Sequence, residues 1–189
     1  MLKELVKRNR SYRRFFEDHP VSVETLRGLV DLARQTASAA NRQPLKYMLS
    51  NANPRNEGIF DCLAWAAYIK EWKGPAPGER PAAYIIMLGD KDIADNYWCD
   101  PGIAAQTILL GAVEQDLGGC ILGAIQKDKL RKSLEIPDRY EILYVLALGK
   151  PRETVVLEPL GADGDIKYWR GADDIHHVPK RSLDEIIVD

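Results

Sequence analysis

The sequence predicts a layered fold of the α+β or α/β class, because helical patterns alternate along the chain with three or four short apolar runs of strand length. A second observation is the run from Gly102 to Val113, which is apolar nearly all round and is interrupted only by Gln106 and Thr107. A helix with this pattern is buried on most of its faces. We therefore expect the other elements to pack around it.

The predicted central helix has signals at both ends. Asp100 is a preferred N-cap residue and Pro101 suits the first helical position, while Gly118 and Gly119 are expected to end the helix. The residues that would let other backbones approach closely are Gly102, Ala104, Ala105, Gly111 and Ala112. A wholly apolar helix in a chain of 189 residues needs more packing partners than one subunit supplies, so we expect a homodimer with this helix in its core.

Periodicity and turn residues predict the remaining elements. A short helix from Leu2 to Arg8 should turn Leu2 and Leu5 inward, and Ser22 should cap the next helix. The later predicted elements are a strand at Lys46–Ser50, a helix at Asn56–Ala67, a loop at Gly74–Pro81, strands at Ala82–Leu88, Cys120–Leu122 and Ile142–Leu148, and a helix at Lys127–Leu134. We expect one domain over 1–189, in which 153–189 is an arm or hairpin that packs on another part of the protein.

The composition restricts the classes of function. Hydrophobic residues make up 46% of the chain and charged residues 29%, and the net charge of −2 gives no reason to expect nucleic acid or an anionic membrane as a partner. No apolar run reaches transmembrane length, and the N-terminus lacks the apolar core of a secretory signal. Three widely spaced cysteines predict neither a disulfide framework nor a zinc site. We expect a cytoplasmic protein.

Basic residues gather near both ends of the chain. The first group consists of Arg10, Ser11, Arg13 and Arg14, and the second of Lys180 and Arg181. Forked guanidinium donors beside a hydroxyl suit a terminal phosphate, since they supply both charge and directed hydrogen bonds. The alternative is a solvated basic face. If the fold joins the two ends, both groups could hold one phosphate.

A second candidate site is the loop that carries Ser38, Asn41 and Gln43 among small residues. Three uncharged polar side chains of this kind suit hydrogen bonding to a planar, amide-bearing heterocycle, although an ordinary polar loop is the alternative. His176 and His177 lie near two aspartates, but adjacent histidines point apart, so no metal site is expected.

Other residues have a structural interpretation as well as a functional one. Cys120 is expected to be a small core residue, because no base lies near it in the sequence to activate it as a nucleophile. Trp65, Tyr68 and Trp72 recur at helical spacing, which is typical of core packing, although they could also line an aromatic lid.

Taken together, these stretches resemble the nitroreductase family of FMN-dependent oxidoreductases. The similar motifs are RSYRRF at Arg10–Phe15, SAANRQP at Ser38–Pro44, GIAAQTILLGAVEQDLGGCILG at Gly102–Gly123, ALGKP at Ala147–Pro151 and PKR at Pro179–Arg181. The resemblance covers roughly Arg8 to Leu183. It departs from the family where Asn9 replaces a frequent arginine, and where the loop at Trp72–Pro81, with Glu79 and Arg80, replaces a mid-chain flavin contact.

The resemblance implies an α+β homodimer, with a central mixed or antiparallel sheet flanked by helices and an FMN site at the subunit interface. By the same resemblance, the phosphate would be bound by Arg10, Ser11, Arg13, Arg14, Lys180 and Arg181. Ser38, Asn41 and Gln43 would contact the ribityl chain and the isoalloxazine from the partner subunit. Gly123 and Ala124 would lie near the reactive edge of the flavin.

The implied activity is hydride transfer from NADH or NADPH through FMN to a nitroaromatic, a quinone or another small acceptor. No side chain is assigned as acid, base or nucleophile, because the flavin carries the chemistry. The alternatives are a flavin enzyme of the same fold with another reaction, such as dehalogenation or flavin fragmentation, and a non-catalytic flavin- or nucleotide-binding protein. A helical dimer with basic surface clusters is a third possibility.

Overall fold

The computed structural model of the protein describes residues 1–188. The helices are α1 (Leu2–Arg8), α2 (Val23–Arg34), α3 (Arg55–Phe60), α4 (Asp100–Glu114), α5 (Lys127–Leu134) and α6 (Leu183–Ile186). The strands are β1 (Phe15–Phe16), β2 (Leu45–Ser50), β3 (Ala83–Asp90), β4 (Gly118–Leu122), β5 (Tyr140–Pro151), β6 (Val155–Pro159), β7 (Trp169–Arg170) and β8 (His176–Lys180). Within this part of the chain, no helix is both long and apolar enough to cross a membrane.

The main sheet is antiparallel throughout and has the strand order β1-β5-β3-β2, with β4 also paired to β5. Every residue of β3 is buried, because helices cover both faces of the sheet. Ile85 and its neighbours on one face pack against α2 and α4. Ile86 and its neighbours on the other face pack with residues of α3 and α5. The predicted α+β class, with a central sheet flanked by helices, is confirmed.

The central helix is largely buried, as predicted, but its first turn differs from the prediction. The helix begins at Asp100, so Pro101 occupies its second residue and Cys99 is the N-cap. Asp100 does not cap the helix. Its carboxylate accepts hydrogen bonds from the Ser38 hydroxyl at 2.6 Å and from the backbone N–H of Ala39 at 2.9 Å. The residue that was expected to begin the helix therefore organises a neighbouring loop.

The glycine pair after the central helix was also assigned incorrectly. The helix ends at Glu114, and Gly118 and Gly119 are the first residues of β4 rather than a helix stop. Both glycines lie where a side chain would collide with a packed neighbour. A Cβ at Gly119 would meet the carbonyl oxygen of Ala147 on the adjacent strand, and one at Gly118 would meet the ring of Tyr12. The strand can approach these groups only because the side chains are absent.

Two shorter helices depart from the predictions. α1 spans the predicted residues but contains no buried residue, and Leu2 is 66% exposed rather than turned inward. α3 ends at Phe60, well before the predicted Ala67. The following backbone pairs instead with the chain after β4, where the N–H of Ala64 donates to the carbonyl of Ala124 at 3.0 Å. In a longer helix, the N–H of Ala64 would have donated to a carbonyl of the preceding turn.

The C-terminal segment forms a small second sheet with the order β6-β8-β7, in which β6 runs parallel to β8 and β7 antiparallel to it. We call this the C-terminal sheet. It packs on the N-terminal part of the same chain, since Arg14 contacts Asp174, and Arg13 contacts His176. The ends of the chain are therefore joined.

Gly119→Ala should destabilise the protein, because the added Cβ has no free space beside the Ala147 carbonyl. We expect the free energy of unfolding to fall by about 1–3 kcal/mol, measured by chemical denaturation. Gly28→Ala is the matched control. Among the described residues, no atom outside the neighbouring backbone of α2 lies within 4 Å of the Cβ position at that glycine, so alanine there should raise stability by about 1 kcal/mol. Equal effects at the two glycines would contradict the packing argument.

Candidate functional site

The segment Arg10–Arg14, which we call the basic segment, lies between α1 and β1 and is held there by backbone hydrogen bonds. The backbone N–H of Tyr12 donates to the carbonyl of Gly119 at 3.0 Å, and the N–H of Phe15 donates to the carbonyl of Glu79 at 2.9 Å. Phe15 is fully buried and anchors the segment to the core. The arginines are consequently displayed from a backbone that is fixed at both ends.

The basic segment and the C-terminal sheet enclose a cavity of about 280 Å³, which we call the basic pocket. Its lining residues are Asn9, Arg10, Ser11, Arg13, Val155, Tyr168, His176, Val178 and Lys180. Four residues that the sequence predicted as a phosphate site are thus brought together from opposite ends of the chain: Arg10, Ser11, Arg13 and Lys180. The pocket combines cationic and hydroxyl donors with an aromatic and aliphatic wall.

Several nitrogen atoms of the pocket have no hydrogen-bond acceptor among residues 1–188. They are Nε of Arg10, Nε of Arg13 and Nδ1 of His176, and all three atoms are buried. A buried donor without an acceptor is costly, since it has lost its water and gained nothing in return. Unpaired donors on three residues that line one cavity suit an acceptor-rich ligand.

Two further arginines of the predicted phosphate site, Arg14 and Arg181, do not line the basic pocket. The Arg14 guanidinium is bound by Glu79 at 2.6 Å and by Asp174, so the loop residue that was a flavin-contact candidate binds an arginine instead. The hydrogen bond from Arg14 lowers the pKa of Glu79 and also that of Asp174. Arg181 is exposed and pairs with Glu185 one helical turn away. In both cases the guanidinium forms an ion pair with a nearby carboxylate outside the basic pocket.

Arg80, the other candidate in the Trp72–Pro81 loop, also lies away from the basic pocket. Its guanidinium carbon is 4.3 Å from the ring centroid of Phe60, and it lines a separate cavity of about 220 Å³ beside Asn56 and Tyr84. The loop therefore supplies no side chain to the basic pocket.

Ser38 and Gln43 line a different cavity of about 230 Å³, next to Asp100. The Ser38 hydroxyl is fully engaged, because it donates to Asp100 and accepts from the backbone N–H of Gln43 at 2.9 Å. Ala40, Asn41 and Gln43 all have positive φ angles between 51° and 53°. The loop is thus a tight turn in which the side chains of Asn41 and Gln43 are exposed. The hydrogen bonds of Ser38 hold the turn in shape.

Gly123 and Ala124 follow β4 and are exposed, with the Ala124 carbonyl bound by the N–H of Ala64. Cys120 is buried in the core, as expected. Burial raises the pKa of the Cys120 thiol, so it is not activated as a nucleophile.

The two adjacent histidines point to opposite sides of β8. His176 is buried, while His177 pairs with Glu158 at 2.8 Å and stacks on Trp169. Over residues 1–188, no three His, Cys, Asp or Glu side chains are grouped so that they could hold a metal ion. Burial, reinforced by Arg13 and Arg170, lowers the pKa of His176 to about 4, so its imidazole is neutral at physiological pH.

Sequence reasoning missed three residues of the site: Glu153, Tyr168 and His176 as a pocket residue. The Glu153 side chain is 1% exposed and accepts hydrogen bonds from the backbone N–H groups of Arg13 and Arg14 and from the Arg170 guanidinium at 2.8 Å. The ring of Tyr168 contacts both the Arg13 guanidinium and the His176 ring, which also contact each other. The only sequence feature that could have pointed to these residues is the recurrence of acidic and aromatic residues in 153–189, a segment with few core-forming residues.

Removal of the Glu153 charge should uncouple the C-terminal sheet from the basic segment. Glu153→Gln keeps an acceptor for the backbone N–H groups but leaves Arg170, whose side chain is 13% exposed, without its buried counter-charge. We expect a loss of about 3 kcal/mol in the free energy of unfolding, measured by chemical denaturation. Glu185→Gln, which breaks an exposed pair with Arg181, should cost less than about 1 kcal/mol. A Glu153→Gln effect as small as the control's would contradict this assignment.

The lowered pKa of His176 makes stability depend on pH. The unfolded imidazole binds a proton below about pH 6.5, whereas the folded one does so only near pH 4, so stability falls as the pH decreases through this window. From pH 6.5 to about pH 4.5 we expect a loss of about 2 kcal/mol, measured by chemical denaturation at each pH. His176→Phe should abolish this part of the pH dependence and His177→Phe should retain it. The same slope in all three proteins would show that other groups are responsible.

Comparisons with known proteins agree on one family. The model of the nitroreductase family matches residues 6–150, which is more than half of the chain. A protein of Bacillus subtilis (strain 168) named "Putative NAD(P)H nitroreductase YodC" is 23% identical over 180 residues, covering 78% of this chain and 88% of the relative.

Solved structures show the same fold. A nitroreductase family protein from Streptococcus pneumoniae TIGR4 aligns over 100% of both chains, with a TM-score of 0.73 and 19% identity. A structure from Desulfovibrio desulfuricans, described as "a putative nitroreductase in complex with FMN", aligns over 100% of this chain and 95% of its own, with a TM-score of 0.72 and 22% identity. From the match of the family model over most of its length, we conclude that this chain belongs to the nitroreductase family.

Proposed function

We propose that this protein is an FMN-dependent oxidoreductase, which takes a hydride from NADH or NADPH and passes it to a small acceptor such as a nitroaromatic or a quinone. The observation that carries the proposal is the basic pocket, in which Arg10, Ser11, Arg13 and Lys180 converge. Family membership and the FMN named in the Desulfovibrio structure support the choice of FMN among phosphorylated ligands. The name of the Bacillus relative supports a nicotinamide donor.

The residues of the pocket fit the phosphate of FMN. Arg10 Nε and Arg13 Nε are buried donors without acceptors among residues 1–188, and phosphate oxygens are strong acceptors with several lone pairs each. The Ser11 hydroxyl and the Lys180 ammonium add a directed donor and a further positive charge. A cavity of about 280 Å³ accommodates a phosphate and the start of the ribityl chain, while the larger ring system needs other walls.

We propose that these other walls come from two exposed segments. The amides of Asn41 and Gln43 stand on a loop that is held in shape by Ser38 and Asp100, which suits hydrogen bonding to the polar edge of the isoalloxazine. Gly123 and Ala124, exposed at the end of β4, leave room for a flat ring to approach the backbone. If the loop with Asn41 and Gln43 came from a partner subunit, two chains together would form each FMN site.

A homodimer is supported by the outer side of α4. Ile103, Thr107 and Leu110 recur at helical spacing and are only half-buried, whereas the opposite side of the helix is fully covered. The residues beside this stripe include the exposed Gly102, so a second backbone could come close. We propose that two copies of the chain pack through α4, which would bury these three side chains.

The chain itself binds and orients the reactants, whereas FMN when bound supplies the hydride-transfer chemistry. Arginine and lysine groups in the pocket neutralise the phosphate and fix one end of the cofactor. Both reactants would use one open face in turn, so ping-pong kinetics are expected. No side chain is proposed as acid, base or nucleophile.

The decisive experiment is an absorbance spectrum of the purified protein after reconstitution with FMN, followed by anaerobic addition of NADH or NADPH. We expect flavin bands that co-migrate with the protein and bleach with at least one nucleotide. Bands that resist both nucleotides would favour a binding protein or a flavin enzyme with a different reaction. A protein that fails to retain FMN would refute the proposal.

Arg10→Ala tests the basic pocket directly. The affinity for FMN should fall by about ten- to a hundredfold, because a charged donor to the phosphate is lost. Arg27→Ala, which removes an exposed arginine of α2, is the matched control and should leave the affinity unchanged. Loss of stability without loss of FMN affinity in Arg10→Ala would support the alternative of a basic surface cluster.

A further inference from the structure

His176 is the one histidine that lines the basic pocket. It is the first residue of β8, where its backbone N–H donates to the carbonyl of Thr154 at 2.9 Å, and its ring is packed against Tyr168 with centroids 5.2 Å apart. The residue is only 1% exposed, so its ring has a fixed environment. The proposed FMN chemistry assigns it no role so far.

The contact with Arg13 determines which ring nitrogen carries the proton. Arg13 Nη1 lies 3.4 Å from Nε2 of His176. A guanidinium can only donate, so Nε2 must be the acceptor and the proton of a neutral imidazole must be on Nδ1. The ring is neutral because burial and the neighbouring Arg13 and Arg170 lower its pKa to about 4.

The resulting Nδ1–H group is a buried donor without an acceptor in the described part of the chain. Glu153 does not serve it, because its carboxylate is within hydrogen-bond distance of two backbone N–H groups and of Arg170 but not of Nδ1. The Nε atoms of Arg10 and Arg13, two other residues that line this pocket, are likewise buried and lack an acceptor among the described residues. The three residues that carry these donors line one cavity, and an acceptor with several oxygen atoms suits such a set.

We propose that His176 is a phosphate-binding residue, whose Nδ1–H donates to the terminal phosphate of FMN and thereby helps to distinguish FMN from riboflavin. This inference rests on the proposed function, because it assumes that the basic pocket holds the phosphate. It assigns a ligand contact to the C-terminal sheet, where a neutral donor adds hydrogen bonding without adding charge. The role is one of binding and selectivity, since the residue lies at the phosphate.

The test compares dissociation constants for FMN and riboflavin, measured by flavin fluorescence at about pH 7.5, in the wild type and three variants. His176→Phe keeps an aromatic ring and removes the donor. His176→Asn keeps a donor, because its amide nitrogen can occupy the place of Nδ1. His177→Phe is the matched control on the next residue of β8, whose side chain points away from the pocket towards Glu158 and Trp169.

We expect the preference for FMN over riboflavin to fall by about ten- to a hundredfold in His176→Phe. It should stay within about threefold of the wild type in His176→Asn and in His177→Phe. An unchanged preference in His176→Phe, or equal weakening of both flavins, would overturn the inference while the proposed function stands. A wild type that binds both flavins equally would instead refute the placement of the phosphate, and with it the role of His176.

A second measurement observes the imidazole in the wild type directly. In the wild type labelled with ¹⁵N-histidine, one imidazole should show the Nδ1-protonated form, and its Nδ1 resonance should shift on addition of FMN but not of riboflavin. A buried imidazole protonated at Nε2, or one with the same response to both flavins, would overturn the inference. Assignment follows from the loss of that signal in His176→Phe or His176→Asn.

Discussion

The candidate site depends on one buried carboxylate, that of Glu153. One of its oxygens accepts hydrogen bonds from the backbone N–H groups of Arg13 and Arg14, and the other accepts from the Arg170 guanidinium. A single side chain therefore fixes the backbone of the basic segment and ties it to β7. Because the pocket lies between these two parts, its shape follows from a contact that touches no ligand. The same carboxylate partly balances the dense positive charge around it.

The sheet supplies the rigid frame for this arrangement. β3 is buried on both faces, so its register with β2 and β5 cannot slip without exposing one of two apolar cores. β4 pairs with β5 at Gly118 and Gly119, close enough for the basic segment to pair with β4 in turn. The arginines of the pocket are thus placed by a chain of backbone hydrogen bonds that begins in the core.

Local patterns predicted the elements whose partners are close in sequence. The bounds of α5, the Ser22 cap of α2 and the burial of β3 follow from periodicity and capping alone. The grouping of Arg10 with Lys180 could be proposed from residue chemistry, but only the fold could join them. The roles of Glu153 and His176 were not predictable, because each depends on partners more than a hundred residues away. The predicted length of α3 was wrong for a similar reason. The backbone after Phe60 forms a hydrogen bond with Ala124, which lies far along the sequence, instead of continuing the helix.

The joining of the two chain ends has a consequence for how the protein matures in the cell. During synthesis Arg10 and Arg13 leave the ribosome well before Lys180 and β8, which close the pocket. A partly synthesised chain can therefore build much of the sheet and still lack the cavity. Under the proposed function, capture of the phosphorylated cofactor would follow the synthesis of β8.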